Sequence, residues 1–171
     1  MAYAFVTGGA SSGKSRFALE LLGSRNDVTF IATGVKTDAE MELRIAAHRR
    51  QRPETWETIE EPLDLISAVG NMDDGNGGLI IDCLTMWVSN LIYMGQCDND
   101  AILGRAEDLS SHLKLLDRTV VVVSNELGMG IIPASEESRE YRKLAGEVNQ
   151  LFARSSSEAF LVLSSIGLRI K

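Results

Sequence analysis

Residues Gly8, Gly9, Ala10, Ser11, Ser12, Gly13, Lys14 and Ser15 fill the pattern G-x-x-x-x-G-K-[ST] position for position. The chemistry open to such a stretch is the holding of a polyphosphate. Small residues let the backbone curl until several N–H groups point at one anion, and a helix starting at the lysine adds the positive end of its dipole. Lys14 then reaches the outer phosphates, and the Ser15 hydroxyl completes the oxygen shell of a Mg²⁺ ion. Average residue frequencies produce this pattern by accident in about one chain in 200 of this length, so a chance glycine-rich turn is the weaker account. The flanks suit a strand-to-helix turn. Tyr3 to Val6 is a short apolar run, and KSRFALELL repeats apolar residues at helical spacing in Phe17, Leu21 and Leu22.

A second chemically loaded stretch is TDAEMELRIAAHRRQRP, Thr37 to Pro53. Thr37 with Glu40 makes a capping box and predicts a helix start, and Pro53 predicts its end. On that helix Arg44, His48 and Arg52 fall at i, i+4 and i+8 as one stripe, with Arg49 and Arg50 beside it. Two accounts stay open. A basic helix taken alone is ordinarily a solvated face. The other account makes the arginines a clamp for a triphosphate, whose charge disfavours a protonated ring and leaves a neutral His48 nitrogen able to attack phosphorus. The other histidine, His112 in SSHLKLLDR, lacks such company and reads as structural or surface.

These residues need a frame to bring them together. Short β-rich runs recur at Val28 to Ala32, Leu79 to Asp82, Thr119 to Ser124 and Ala159 to Ser164. Between them lie helical patterns, roughly Ala39 to Arg50, Leu63 to Val69, Thr85 to Tyr93, Ala101 to Leu116 and Glu137 to Arg154. Continuous apolar strands alternating with helices predict an α/β P-loop NTPase fold, with a mostly parallel central sheet flanked by helices. Trp56 to Glu61 is a candidate edge strand, GLRIK a candidate antiparallel one, and Asn71 to Gly78 a surface loop. Ligands gather at the carboxyl ends of such strands. There stand Thr33, Gly34 and Val35, then Asp82, then Ser124, Asn125 and Glu126. Asp82 suits Mg²⁺ held opposite Ser15, or else a cap on the next helix near Thr85. Asn125 and Glu126 suit a substrate hydroxyl and a plain connector equally.

Composition bounds the rest. The 171 residues predict one domain over 1–171, and 44% hydrophobic with 24% charged residues is the make-up of an ordinary globular protein. A net charge of −7 argues against a nucleic-acid partner. Cys83 and Cys97 are too few for a disulfide framework, and no basic leader or membrane-length apolar run is present, which predicts a cytoplasmic protein without membrane insertion.

The blocks TGGASSGKS, FIATG, DAEMELRIAAHRRQRPETWETIEEP, LIIDCLTMWVSN and VVVSNELGMGIIP, in this order, resemble the bifunctional adenosylcobinamide kinase and adenosylcobinamide-phosphate guanylyltransferase family of cobalamin biosynthesis. The resemblance runs from about Ala4 to Lys171. It implies ATP or GTP as phosphoryl donor to the aminopropanol hydroxyl of a corrinoid, then attack of a histidine on the α-phosphorus of GTP and transfer of GMP to the phosphorylated corrinoid. His48 matches that histidine. Gly8 to Ser15, Thr33, Gly34, Val35, Arg49, Arg50, Gln51, Arg52, Glu60 and Asp82 match the nucleotide site, with Lys14 catalytic and Ser15 and Asp82 toward Mg²⁺. A homo-oligomer, a trimer, is implied as well. The chain departs from the family at Ser11, where an arginine is common, at Ala47, where some members carry a second histidine, at Lys143, often an aspartate, and at SSIG, Ser164 to Gly167. These departures bear on the relative efficiency of the two reactions. The competing class is a P-loop kinase or ATPase acting on another small molecule or driving a conformational change.

Overall fold

The computed structural model describes residues 3–50, 52–72 and 77–171, so Gln51, the Arg44 side chain and the middle of the expected Asn71 to Gly78 loop lie outside the described residues. The first strand, β1 (Ala4–Gly8), leads through the glycine turn into helix α1 (Lys14–Leu22), followed by β2 (Val28–Ala32), α2 (Ala39–Arg50) and β3 (Glu57–Glu60). Then come α3 (Leu65–Gly70), β4 (Gly78–Asp82), α4 (Leu84–Tyr93), α5 (Asn99–Leu115), β5 (Thr119–Asn125), α6 (Glu136–Ser155), β6 (Glu158–Leu163) and β7 (Ile166–Arg169).

Among the described residues the seven strands form one sheet in the order β3-β2-β4-β5-β1-β6-β7. Every pairing is parallel except β6 with β7. The P-loop strand therefore sits inside the sheet, and the two short strands expected at the edges are its two edges. Alternation within each strand sends side chains to opposite faces. Phe5, Ile31, Leu79, Ile81, Val120 and Val122 meet Trp87, Leu91, Ile102, Leu109, Val148 and Phe152 from α4, α5 and α6. On the other face Val6, Phe30, Ile80, Val121, Val123 and Val162 meet Ala18 and Leu22 of α1. Each such side chain, fully withdrawn from water, stabilises the fold by about 1.5–3 kcal/mol. The result is a rigid platform whose parallel strands all end on one side.

Two local expectations differ from the structure. Helix α2 is capped by Asp38, whose Oδ1 accepts the Met41 N–H at 2.8 Å, and Glu42 N–H bonds Asp38 C=O as the first turn of the helix. The Thr37–Glu40 capping box does not form, because an aspartate one residue later offers the better acceptor for an N-terminal N–H. Arg52 also leaves the predicted stripe. It lies beyond α2, its N–H turned onto Arg49 C=O at 3.2 Å, since a residue before proline is disfavoured in helical conformation.

Candidate active site

Strand register brings the chemistry to one line. Ala32 pairs with Glu60 and with Asp82, and Gly8 pairs with Asn125, so the P-loop and the ends of β2, β3, β4 and β5 face the same side. There they border a cleft of about 880 Å³, a volume suited to a nucleotide-sized ligand.

The P-loop wall is built from backbone. Gly13 caps α1 at φ 91°, a left-handed conformation costly for any other residue, and no side chain occupies the helix N-terminus. Ser165 donates its N–H to Ser12 C=O at 2.7 Å, so the β6–β7 turn braces the loop from behind. A Cβ on Gly13 would lie 2.5 Å from Ser165 Oγ, and the close approach therefore requires glycine here twice over. Lys14 is only 7% exposed and donates from Nζ to Gly9 C=O at 3.1 Å. Ser12 Oγ is buried with no hydrogen-bond partner among the described residues.

The opposite wall is charged. Asp82 and Glu60 line the cleft from β4 and β3, and His48 and Arg49 line it from α2. Arg52 reaches it from the sheet side, its guanidinium stacked 3.5 Å over the Phe30 ring and its Nη1 donating to Thr58 Oγ1 at 3.2 Å. Burial lowers the Arg52 pKa from its ordinary value; the Asp82 carboxylate opposes that shift, Arg49 adds to it and Glu60 opposes it. Its Nε is buried with no hydrogen-bond partner among the described residues. The cation is thus aimed and held before any ligand arrives.

Asp82 does not serve as the helix cap that the sequence left open. The N-cap of α4 is Cys83, without a side-chain cap bond, and Asp82 lines the cleft instead. Thr33 is fully buried beneath the cleft, its hydroxyl donating to Cys83 C=O at 2.8 Å and accepting Cys83 N–H at 2.8 Å. It ties the end of β2 to that of β4. Among the other expected contacts, Ala10, Ser11, Ser12, Gly13, Lys14, Ser15 and Gly34 border the cleft, whereas Gly8, Gly9, Val35 and Arg50 do not. Asn125 borders it too, but its amide Nδ2 is spent on Thr85 Oγ1 at 2.7 Å. Glu126 folds onto its own loop, accepting Gly128 N–H at 2.6 Å.

Sequence reasoning missed an apolar part of the lining, Met41 and Ile45 from α2 with Cys83 and Met86 from the start of α4. A signal existed: Met41, Ile45 and His48 follow the i, i+4, i+7 spacing of one helix face. Burial and the Asp82 carboxylate push the Cys83 thiol up, which keeps it neutral and unreactive on the cleft floor.

A sequence profile described as cobinamide kinase / cobinamide phosphate guanyltransferase matches residues 4–170. The chain belongs to this family. The bifunctional adenosylcobalamin biosynthesis protein CobU of Escherichia coli K12 is 40% identical over 177 residues, covering 97% of this chain and 98% of that protein. The Salmonella typhimurium CobU is 41% identical with 97% and 98% coverage, and the Pseudomonas aeruginosa CobP is 38% identical with 97% and 95% coverage. Among solved structures, the P4 protein of bacteriophage phi6 in complex with ADP superposes with a TM-score of 0.53 at 19% identity, covering 98% of this chain and 54% of P4. That likeness concerns the fold alone. As a member of the cobinamide kinase / cobinamide phosphate guanyltransferase family, the chain is a bifunctional enzyme of adenosylcobalamin biosynthesis, a kinase and a guanylyltransferase acting on a corrinoid and nucleotides. Of the departures from the family pattern, Ser11 and Ala47 border the cleft, and Lys143 stands on α6, 3.8 Å from Glu147. No helix among the described residues is long and apolar enough to cross a membrane.

Proposed function

We propose that this one cleft runs both reactions, with His48 as the covalent nucleophile of the second. The observation that carries this is the shared lining: His48 and Arg49 border the same space as Lys14 and the uncapped N-terminus of α1. In the kinase step the α1 N-terminus and Lys14 hold the outer phosphates, and the aminopropanol hydroxyl of adenosylcobinamide attacks the γ-phosphorus of ATP or GTP. The P–O bond to the nucleoside diphosphate breaks, and the phosphate ester forms. In the transferase step a ring nitrogen of His48 attacks the α-phosphorus of GTP, and pyrophosphate leaves. The phosphate of adenosylcobinamide phosphate then displaces the ring, yielding adenosylcobinamide-GDP and free His48. Arg49 and Arg52 oppose the charge of the leaving group. Met41, Ile45 and Met86 offer an apolar surface for the base.

Ser15 and Asp82 are both oxygen donors bordering this cleft, a set that fits Mg²⁺ completed by phosphate oxygens and water. When bound, that ion would neutralise phosphate charge. A single domain, a cytoplasmic location and assembly as a homotrimer belong to the same proposal, drawn from sequence and resemblance.

Incubation with α-labelled GTP tests the nucleophile. The protein should take up a label stable to alkali and labile to acid, as a phosphorus–nitrogen bond is. His48→Ala should lose it while retaining most cobinamide phosphorylation, which needs no covalent histidine. Label on the His48→Ala protein, or no label beside full kinase activity, would leave a single-reaction P-loop kinase as the account.

A further inference from the structure

Strand β5 lies between β1, which leads into the P-loop, and β4, which ends in Asp82. Its last residue, Asn125, pairs with Gly8 and borders the cleft, so it stands between the phosphate loop and that carboxylate. The Asn125 amide is held in one sense. Its Nδ2 donates to Thr85 Oγ1 at 2.7 Å with Cys83 Sγ 3.8 Å away, and the Asn125 backbone N–H reaches the same Oγ1 at 3.3 Å. Thr85 is itself buried, and its C=O accepts the Tyr141 hydroxyl at 2.8 Å. Asn149 of α6, also buried, donates from Nδ2 to Asn125 C=O at 2.9 Å. With the amino group, the N–H and the C=O engaged, Oδ1 is the polar atom of Asn125 that no other described residue engages.

We propose that Asn125 Oδ1 orients the attacking hydroxyl in the kinase step, which makes Asn125 a catalytic residue for phosphoryl transfer and not for guanylyl transfer. The proposal rests on the reading that this cleft runs the kinase step. An amide oxygen only accepts hydrogen bonds, and so do ionised phosphate oxygens, so Oδ1 offers nothing to the phosphates of a nucleotide. At this position it can hold a donor, and the kinase reaction brings one in the form of an alcohol. A hydrogen bond from that O–H to Oδ1 turns an oxygen lone pair toward the γ-phosphorus and keeps it there. The new O–P bond forms as the bond to the nucleoside diphosphate breaks. The proton passes to an oxygen of the transferred group and then to solvent, because an amide does not take it up. Glu126, the other polar candidate beside this strand end, is turned onto Gly128 N–H, so the role falls to Asn125. The transferase step has no use for it, since there a histidine ring and then a phosphate attack.

Two variants test it. Asn125→Ala removes the oxygen, and cobinamide phosphorylation should lose about tenfold to a hundredfold in kcat, the scale of a misplaced nucleophile. The KM for the nucleotide and the rate of GMP labelling from GTP alone, in which no hydroxyl attacks, should stay unchanged. Thr85→Val keeps Asn125 and the shape of the threonine but releases the amide, and it should show the same split with a smaller fall. An unchanged kcat in Asn125→Ala overturns the proposal. So does an equal loss of kinase turnover and of labelling, which makes Asn125 a support of the whole cleft or of a metal-bound water common to both reactions. If circular dichroism shows Asn125→Ala unfolded, Thr85→Val decides on the same two readouts. An unaltered protein that phosphorylates cobinamide but takes no label removes the His48 reading alone, and nucleotide affinity then replaces labelling as the comparison. If the unaltered protein phosphorylates no cobinamide, the kinase reading falls and this proposal falls with it.

Discussion

Lys14 is a cation with 7% exposure that rests against the Gly9 carbonyl, in position before a phosphate arrives. In the proposed kinase step its role is to meet charge that spreads over the transferred group. Lys14→Ala should lower the kinase kcat about a hundredfold or more, judged by the loss of one transition-state donor. Circular dichroism should show the fold retained; kinase turnover near that of the unaltered protein would remove Lys14 from the catalytic role. That Lys14 and His48 border one cleft is legible in the sequence, because a P-loop is a contiguous pattern and His48 sits in a conspicuous cluster. The role of Thr33 is not. Its side chain binds the backbone of Cys83 fifty positions away, and nothing around it in sequence separates a buried tie from a ligand contact.

The elements show why some neighbours were legible and others hidden. Strands β2, β4 and β5 are rich in buried apolar residues, as expected of strands covered on both faces, and their order of alternation with helices predicted the parallel sheet. Helix α2 was placed correctly, but its cap and the position of Arg52 depend on one-residue differences that pattern reading does not resolve. The brace on the P-loop is a different case. It comes from the β6–β7 turn at Ser164 and Ser165, both with positive φ, and joins segments some 150 positions apart. Gly13→Ala probes that joint. The new methyl meets Ser165 Oγ at 2.5 Å and Cα at 3.0 Å in a left-handed conformation, so a loss of about 1–3 kcal/mol is expected, read as a lower urea midpoint with an unchanged slope. Nucleotide affinity should fall with it. A midpoint like that of the unaltered protein would mean that the hairpin yields freely and does not fix the loop.

Across the whole molecule the cleft draws on four strand ends and on α2, so a bound nucleotide should tie separate parts of the chain together. GTP at a hundredfold excess over its Kd should add about 2.7 kcal/mol to stability. For a chain of this size that corresponds to a rise in Tm of about 5–10 °C. Lys14→Ala should show a smaller rise at the same GTP concentration; an equal one would place the nucleotide elsewhere. The topology has one more consequence. The strand carrying the P-loop is the first of the sheet in sequence, yet its partners are β5 and β6, and the serine pair that steadies its loop follows β6. A ribosome therefore produces the phosphate loop early and its two flanking strands and rear support late. A nascent chain that has emerged only as far as β4 owns every residue of the P-loop but neither of its flanking strands nor its rear support, and nucleotide should begin to protect such a chain from proteolysis only once the β6–β7 turn has emerged.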